Sequence, residues 1–337
     1  MHVGLQSSPA GITPWPERPR CTDFADAQTS LSSVSGYALR MTYSIVARDP
    51  HTREMGVATQ SQAFAVGSSV SWAMPGAGVI ATQSIGEPMY GELGLDLMRS
   101  GLTAPEALDA LRSIDPSPER RQVAMVDCCG ALAAYTGDSC VTQAGHRVGA
   151  HSVALGNMLA DSAIWTRMVE VFENSTGSLA LRLVEALKAA QSLGGDIRGQ
   201  RSAALLVVRA ERSGRPWRDN VVDLRVDDHP EPVSELERMT RYSVRYHAAY
   251  RAFELALDGQ AAAGLDLLDG SVSAPHDEPE LALLHATVLA KAGHVDEARR
   301  LLRQLARDAP AFIDTAHRFA AAKLVDPGLF KGILPET

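Results

Sequence analysis

Thr42 stands at the head of a strand-like run, Met41-Thr42-Tyr43-Ser44-Ile45-Val46-Ala47-Arg48-Asp49. A threonine hydroxyl is a weak nucleophile by itself. It becomes effective when its own α-amino group is free to take the hydroxyl proton, so that one residue supplies both nucleophile and base. A free α-amine titrates at about 7.7–8.0, so a useful fraction is neutral near pH 7. Forty residues precede the Met41-Thr42 pair. The free-amine chemistry therefore requires either a start at Met41 with the Met removed, or a chain that cleaves itself before Thr42.

Other residues have the types such a centre needs. Ser44 shares a strand face with Thr42 by the period of two. It can hydrogen-bond the nucleophile or substrate, or fill a small core site. Thr59-Gln60-Ser61 and Thr82-Gln83-Ser84 place polar clusters inside apolar strands, and buried hydroxyls and amides need partners. Ser61, Thr82 and Gln83 either line a binding pocket or tie two sheets together. Arg48 can hold a substrate carboxylate in a bidentate pair, or close a local ion pair with Asp49. Asn157, in Gly156-Asn157 between a strand and a helix, can donate to a tetrahedral oxyanion or cap the helix. Asp196 and Arg198 lie in Gly194-Gly195-Asp196-Ile197-Arg198-Gly199-Gln200. They can pair and shape a site rim, and the bland reading is a helix stop plus a turn.

Metal and cofactor chemistry has no comparable pattern. In Asp227-Asp228-His229-Pro230 adjacent side chains diverge along a strand and serve one ion poorly. His146 reads as structural. No Gly-x-Ser-x-Gly marks a nucleophile elbow, and the glycines of 194–199 lack phosphate-loop spacing. No metal and no cofactor is expected.

These residues need elements to hold them. Strands are predicted at 42–49, 55–61, 79–83, 121–127, 131–136, 202–209 and 221–227. Helices are predicted near 90–100, 104–113, 161–174 and 178–192. Thr103 and Glu106 have capping-box spacing at the start of the second helix, and Gly194-Gly195 stops the fourth. Ala203-Ala204-Leu205-Leu206-Val207-Val208 hardly alternates, which implies burial on both faces. Periodicity alone leaves a doubly wound sheet open.

The composition, 45% apolar and 21% charged over 337 residues, is that of a globular protein of about two domains. A formal charge of −8 argues against nucleic acid and anionic membranes as partners. No apolar run approaches the ~20 residues of a membrane helix. Residues 1–40 lack a basic start with an apolar stretch and read as a flexible tail or an over-called start. Cys21, Cys128, Cys129 and Cys140 show no metal-ligand spacing and read as free thiols of a cytoplasmic protein.

Nine stretches in order resemble the domain of unknown function 1028 family. They are 41–50, 56–67, 78–91, 94–108, 121–127, 144–149, 156–159, 194–208 and 222–236. The chain departs from the family pattern at Leu155-Gly156-Asn157, at Glu87-Pro88, and in continuing upstream of Met41. That family belongs by fold with the N-terminal-nucleophile hydrolases. The resemblance implies an α+β protein, a four-layer α/β/β/α sandwich over 41–237, with Thr42 as nucleophile. Residues 238–337 read as a tetratricopeptide-like helical module. Segments 245–278 and 279–312 repeat with a period of 34, matching Ala252 with Ala286, Leu255 with Leu289, Gly259 with Gly293 and Leu268 with Leu302. A closing helix is expected near 312–324.

The functional expectation is hydrolysis of a non-peptide, amide-type C–N bond in a small metabolite. Thr42 attacks, Asn157 stabilises the oxyanion, and Arg48, Thr82 and Gln83 bind substrate. The alternative is a non-catalytic fold relative that binds a small ligand or a protein. Residues 238–330 are then an adaptor or a homo-oligomer interface.

Overall fold

The computed structural model describes residues 39–271, 278–324 and 328. Cys21 and the expected tail up to residue 38 lie outside the described residues. Among these residues the protein is a mixed α+β fold with two antiparallel sheets and ten α-helices. The first sheet runs β1 (Leu39–Arg40), β5 (Gly78–Ile85), β6 (Arg121–Asp127), β7 (Leu132–Thr136), with β4 (Ser71–Met74) also paired to β5. The second runs β11 (Asn220–Val226), β10 (Ser202–Arg209), β3 (Glu54–Ser61), β2 (Thr42–Arg48), β9 (Ser152–Gly156), β8 (Gly145–Val148).

The alternation along β2 shows how the sheets are used. Tyr43, Ile45 and Ala47 join Ile164, Met168, Phe172, Leu183 and Leu187 of helices α3 (Ile164–Asn174) and α4 (Leu179–Ser192). Val46 faces the other way, into a core shared by both sheets with Met55, Val57, Val79, Ala81, Ala124 and Val126. The outer face of the first sheet, through Ile80, Val123 and Met125, packs on Tyr90, Leu95, Leu108 and Leu111. Those side chains belong to α1 (Pro88–Arg99) and α2 (Ala104–Ile114). Each central strand is covered on both faces, so nearly every position along it is buried, whether apolar or polar.

The expected local signals operate. Glu106 accepts the Thr103 N–H at 2.8 Å and the Thr103 hydroxyl accepts the Glu106 N–H, closing the capping box of α2. Gly194 and Gly195 have φ of 97° and 54° and end α4, a backbone that glycine adopts without a Cβ clash. Four strands have no predicted range: β1, β4 and β8 are short and sit at sheet edges, and β9, implied only by the strand end at Gly156, lies between β2 and β8.

Helix α6 (Pro232–Leu257) is continuous through the expected domain boundary at 237/238. Its first turns carry Val233 and Leu236 into the core under the second sheet. Its last turns carry Ala252 and Ala256 into a core with Leu268, Leu281 and Val288. Helix α7 (Ala261–Ser271) folds back on α6, α8 (Pro279–Lys291) on α9 (Val295–Asp308), and α10 (Ala311–Ala321) follows.

Candidate functional site

The layer between the sheets is apolar along most of its length and polar at one end. On β2 the inward positions run from Val46 to Ser44 and Thr42, on β3 from Val57 to Thr59 and Ser61. On β5 they run from Ala81 to Gln83, and on β6 from Ala124 back to Gln122. Asn157 follows Leu155 of β9 with the same parity. Antiparallel pairing sets the start of each strand beside the end of its neighbour, as in Thr42 opposite Ser61 and Gln83 opposite Gln122. Five separate segments thereby deliver their polar residues to one place. All are buried, so the cost of removing them from water has to be met by hydrogen bonds among themselves.

Gln83 is one hub. Its Oε1 accepts the Ser44 hydroxyl at 2.7 Å, and its Nε2 donates to the Thr42 carbonyl at 2.9 Å and to Gln122 Oε1 at 2.8 Å. Ser44 Oγ also lies 2.8 Å from Thr59 Oγ1. Gln122 is the other hub. Its Oε1 accepts Asn157 Nδ2 at 2.9 Å, and its Nε2 donates to the carbonyl of Gly156 at 2.8 Å and to the Gly145 carbonyl and Thr136 Oγ1 at 3.1 Å. The Asn157 N–H donates to the Thr42 carbonyl at 3.1 Å. The residue at 42 is thus gripped on its carboxyl side by a neutral amide network.

On its amino side the grip is different. The Met41 carbonyl accepts the Ser61 hydroxyl at 2.7 Å and a guanidinium N–H of Arg198 at 2.7 Å. Arg198 is itself held by a fork to Asp196, Nε to Oδ1 at 3.0 Å and Nη2 to Oδ2 at 2.7 Å. Asp196 is fully buried and also accepts the N–H of Gln62 at 3.3 Å. Charge-assisted and bidentate, with the carboxylate buried and the guanidinium partly exposed, this pair fixes the direction of the guanidinium. Behind it, burial and then the nearby Asp196 charge push the Tyr43 hydroxyl well above its usual range. The hydroxyl stays protonated and donates to Gln191 Oε1 at 3.0 Å.

The expected residues therefore divide. Thr42, Ser44, Ser61, Gln83, Asn157, Asp196 and Arg198 come together. Thr82 does not: it has the parity of Ile80 on the helix face, and its hydroxyl lies 3.4 Å from the Glu87 carbonyl at the start of α1. Arg48 does not either. It ends β2, six residues from Thr42 and so ~20 Å away at strand rise, with its stem against Gly130. Asn157 directs its carboxamide to Gln122, while the two donors on the Met41 carbonyl are Ser61 and Arg198. Gln122 was missed by sequence reading. The signal that marks Gln83, a carboxamide inside an apolar strand, was present in Arg121-Gln122-Val123-Ala124-Met125-Val126 as well.

Among the described residues no group of three or more His, Cys, Asp or Glu side chains is placed to hold a metal ion. No described helix is long and apolar enough to cross a membrane.

Comparison with known proteins gives the same frame. No curated protein matches. A crystal structure of a protein from Silicibacter pomeroyi, assigned to the DUF1028 family, is similar at 33% identity with a TM-score of 0.54, over 60% of this chain and 89% of that one. The model of the family of unknown function DUF1028 matches residues 42–236, from the threonine at the head of β2 to the first turns of α6. More than half of the chain lies inside that match, and the protein belongs to the DUF1028 family.

Proposed function

We propose that the protein is a hydrolase of an amide-type C–N bond in a small molecule, with Thr42 as an N-terminal nucleophile. In this reading the two sheets and their helices are the four-layer sandwich of the N-terminal-nucleophile hydrolases. The observation that carries it is the seat of the Met41 carbonyl oxygen between the Ser61 hydroxyl and the Arg198 guanidinium, each at 2.7 Å. Two preorganised donors, one of them charged, on the acyl oxygen next to a threonine hydroxyl form an arrangement suited to a tetrahedral oxyanion. Among the described residues, Ser61, Arg198 and Gln83 hydrogen-bond through their side chains to the Met41 and Thr42 carbonyls. A base is needed, and the α-amine of Thr42, once free, supplies it.

Thr42 Oγ bonds to the acyl carbon and its proton passes to the α-amine. The C–N bond breaks and the amine leaves with that proton. Water then adds to the ester carbon, the ester C–O bond breaks, and Thr42 Oγ recovers a proton as the acid departs. Asn157 and Gln83 hold the Thr42 carbonyl and so orient the residue.

The α6–α10 region fits a tetratricopeptide-like module. The matched Ala252 and Ala286 are both fully buried, and the matched Gly259 and Gly293 both take left-handed φ, 82° and 91°. Such a module serves as an interface for a partner or a second copy.

The test is intact-mass analysis joined to a hydrolysis screen with N-acyl amides. The expected active species begins at Thr42, whether by Met removal or by self-cleavage, and Thr42→Ala lowers turnover by at least ~10³-fold while melting like the parent. Turnover by a chain in which the Met41–Thr42 bond is intact would sink the free-amine mechanism.

A further inference from the structure

We propose that the groove now filled by β1 and Met41 is the acyl-side substrate site of this centre, and that it takes an extended, peptide-like chain lying antiparallel to β5 at Ser84–Ile85. The proposal rests on the reading of Thr42 as the nucleophile and names the class of molecule that Thr42 attacks.

Whatever acyl group Thr42 attacks has its carbonyl carbon beside Thr42 Oγ and its oxygen on the available donors. In this structure that place belongs to the Met41 acyl group, with Ser61 and Arg198 on its oxygen. The chain leading to it is seated too. Leu39 and Arg40 form β1, paired antiparallel with Ile85 and Ser84 of β5. On its other side β5 pairs with β6, Ser84 opposite Arg121. When residues 39–41 are gone, one edge of β5 presents main-chain N–H and C=O groups at that point. An unpaired strand edge is a template for an added strand.

The edge is held in place. Arg121 donates to the Ile85 carbonyl at 2.7 Å and is fixed by Asp115 through bonds of 2.8 Å and 3.2 Å, both side chains being nearly fully buried. Ser84 has a φ of 72°, a left-handed backbone uncommon outside glycine. That turn of the edge sits where the strand must hand the acyl group from the first sheet to the second. Main-chain pairing supplies affinity without selecting side chains, so selection falls on the residue next to the attacked carbonyl. Met41 occupies that position and is only 3% exposed. The site therefore favours an apolar, unbranched side chain there, preceded by at least two amide-linked residues. The leaving amine is not restricted by this groove.

The experiment uses the chain beginning at Thr42 and two probes. The first is acetyl-Ala-Leu-Arg-Met as its 7-amino-4-methylcoumarin amide, compared with acetyl-Met coumarin amide and with the tetrapeptide amide N-methylated at Leu and Arg. The second is the free acid acetyl-Ala-Leu-Arg-Met, measured by calorimetry on the Thr42→Ala form. The expected result is a kcat/KM at least ~10-fold higher for the tetrapeptide amide than for the acetyl-Met amide. N-methylation, which removes main-chain donors, abolishes that gain. The acid binds Thr42→Ala protein and its N-methylated form does not. Equal cleavage of all three amides, or binding indifferent to N-methylation, overturns the strand-pairing site while leaving Thr42 as nucleophile. Binding that is lost on N-methylation, without cleavage of any amide, supports the groove and removes the catalytic reading instead. Neither binding nor cleavage overturns the groove.

Discussion

Arg198 and Met41 are joined by a 2.7 Å hydrogen bond across 157 positions of sequence, from a guanidinium to a main-chain oxygen. A buried main-chain carbonyl is ordinarily satisfied by a neutral N–H of a ladder. Here it meets a hydroxyl and a cation anchored by its own carboxylate. Charge-assisted donors are about twice as strong as neutral ones, and this one is aimed at the oxygen whose charge grows if the carbonyl carbon is attacked.

Ser61→Ala is therefore expected to lower hydrolysis ~10²-fold or more, the usual cost of one oxyanion donor, with little change in melting. Arg198→Gln is expected to lower it further, because it also leaves the buried Asp196 carboxylate without its cation. Steady-state rates with an N-acyl amide, read beside thermal melts, separate the two effects. Unchanged rates in Ser61→Ala would place the oxyanion elsewhere.

Gln122→Leu should lower stability without touching the nucleophile. It removes the acceptor of Gln83 and Asn157 and the donor to Gly156 and Gly145. At about 1–3 kcal/mol for each buried group left without a partner, a loss of at least ~3 kcal/mol is expected in urea denaturation. A loss under 1 kcal/mol would show that water or a shifted neighbour replaces the hub.

Acid stability should fall through two carboxylates. Burial raises the Asp115 carboxyl, but the Arg121 bond and the Ser117 N–H outweigh it and hold it below the usual range. Burial likewise raises Asp49, while the N–H groups of Thr52 and His51 and the charge of Arg182 bring it below that range. A depressed folded pKa means that the stabilisation is fully present above the unfolded value of about 3.9 and is lost as pH falls through the folded one. Urea midpoints should be flat from pH 7 to 5 in this respect and drop below pH 4. Asp115→Asn, which strands the buried Arg121, should cost ~3–5 kcal/mol at pH 7 and flatten part of that drop.

Truncation should be sensitive to where α6 is cut. A chain ending at Glu231 loses Val233 and Leu236 from the core beneath the second sheet, at roughly 1.5–3 kcal/mol for each buried side chain. A chain ending at Ser243 keeps both. The shorter form should melt several degrees below the longer one by circular dichroism. Equal melting temperatures would mean that the helix start adds nothing to the two-sheet region.

Much of this protein is legible in its sequence because its signals are local. Strands 121–127 and 202–209 lie where their apolar runs predict, and the Thr103–Glu106 box and the Gly194-Gly195 stop act as their residue types require. Thr42, Ser44, Gln83 and Ser61 converge as strand parity and polar burial imply. Thr82 fails for the same parity that makes Gln83 succeed, since neighbours on a strand face opposite ways. Arg48 fails because its strand is seven residues long and Thr42 occupies the other end. The Asp196–Arg198 pair was legible from its spacing, but the Arg198 contact to the Met41 carbonyl and the partners of Gln122 were beyond reach, since they depend on which strands pair, and pairing across 157 or 35 positions leaves no local mark.

Helix α6 has a mechanical consequence. Its 26 residues measure ~39 Å at helical rise. One end is clamped under the second sheet by Val233, Leu236 and the Lys188–Glu237 ion pair, the other among the helical hairpins. There is no joint between the two. A continuous helix in place of a loop lets α8–α10 be displaced relative to Thr42 only by bending α6 or by breaking its packing at one end.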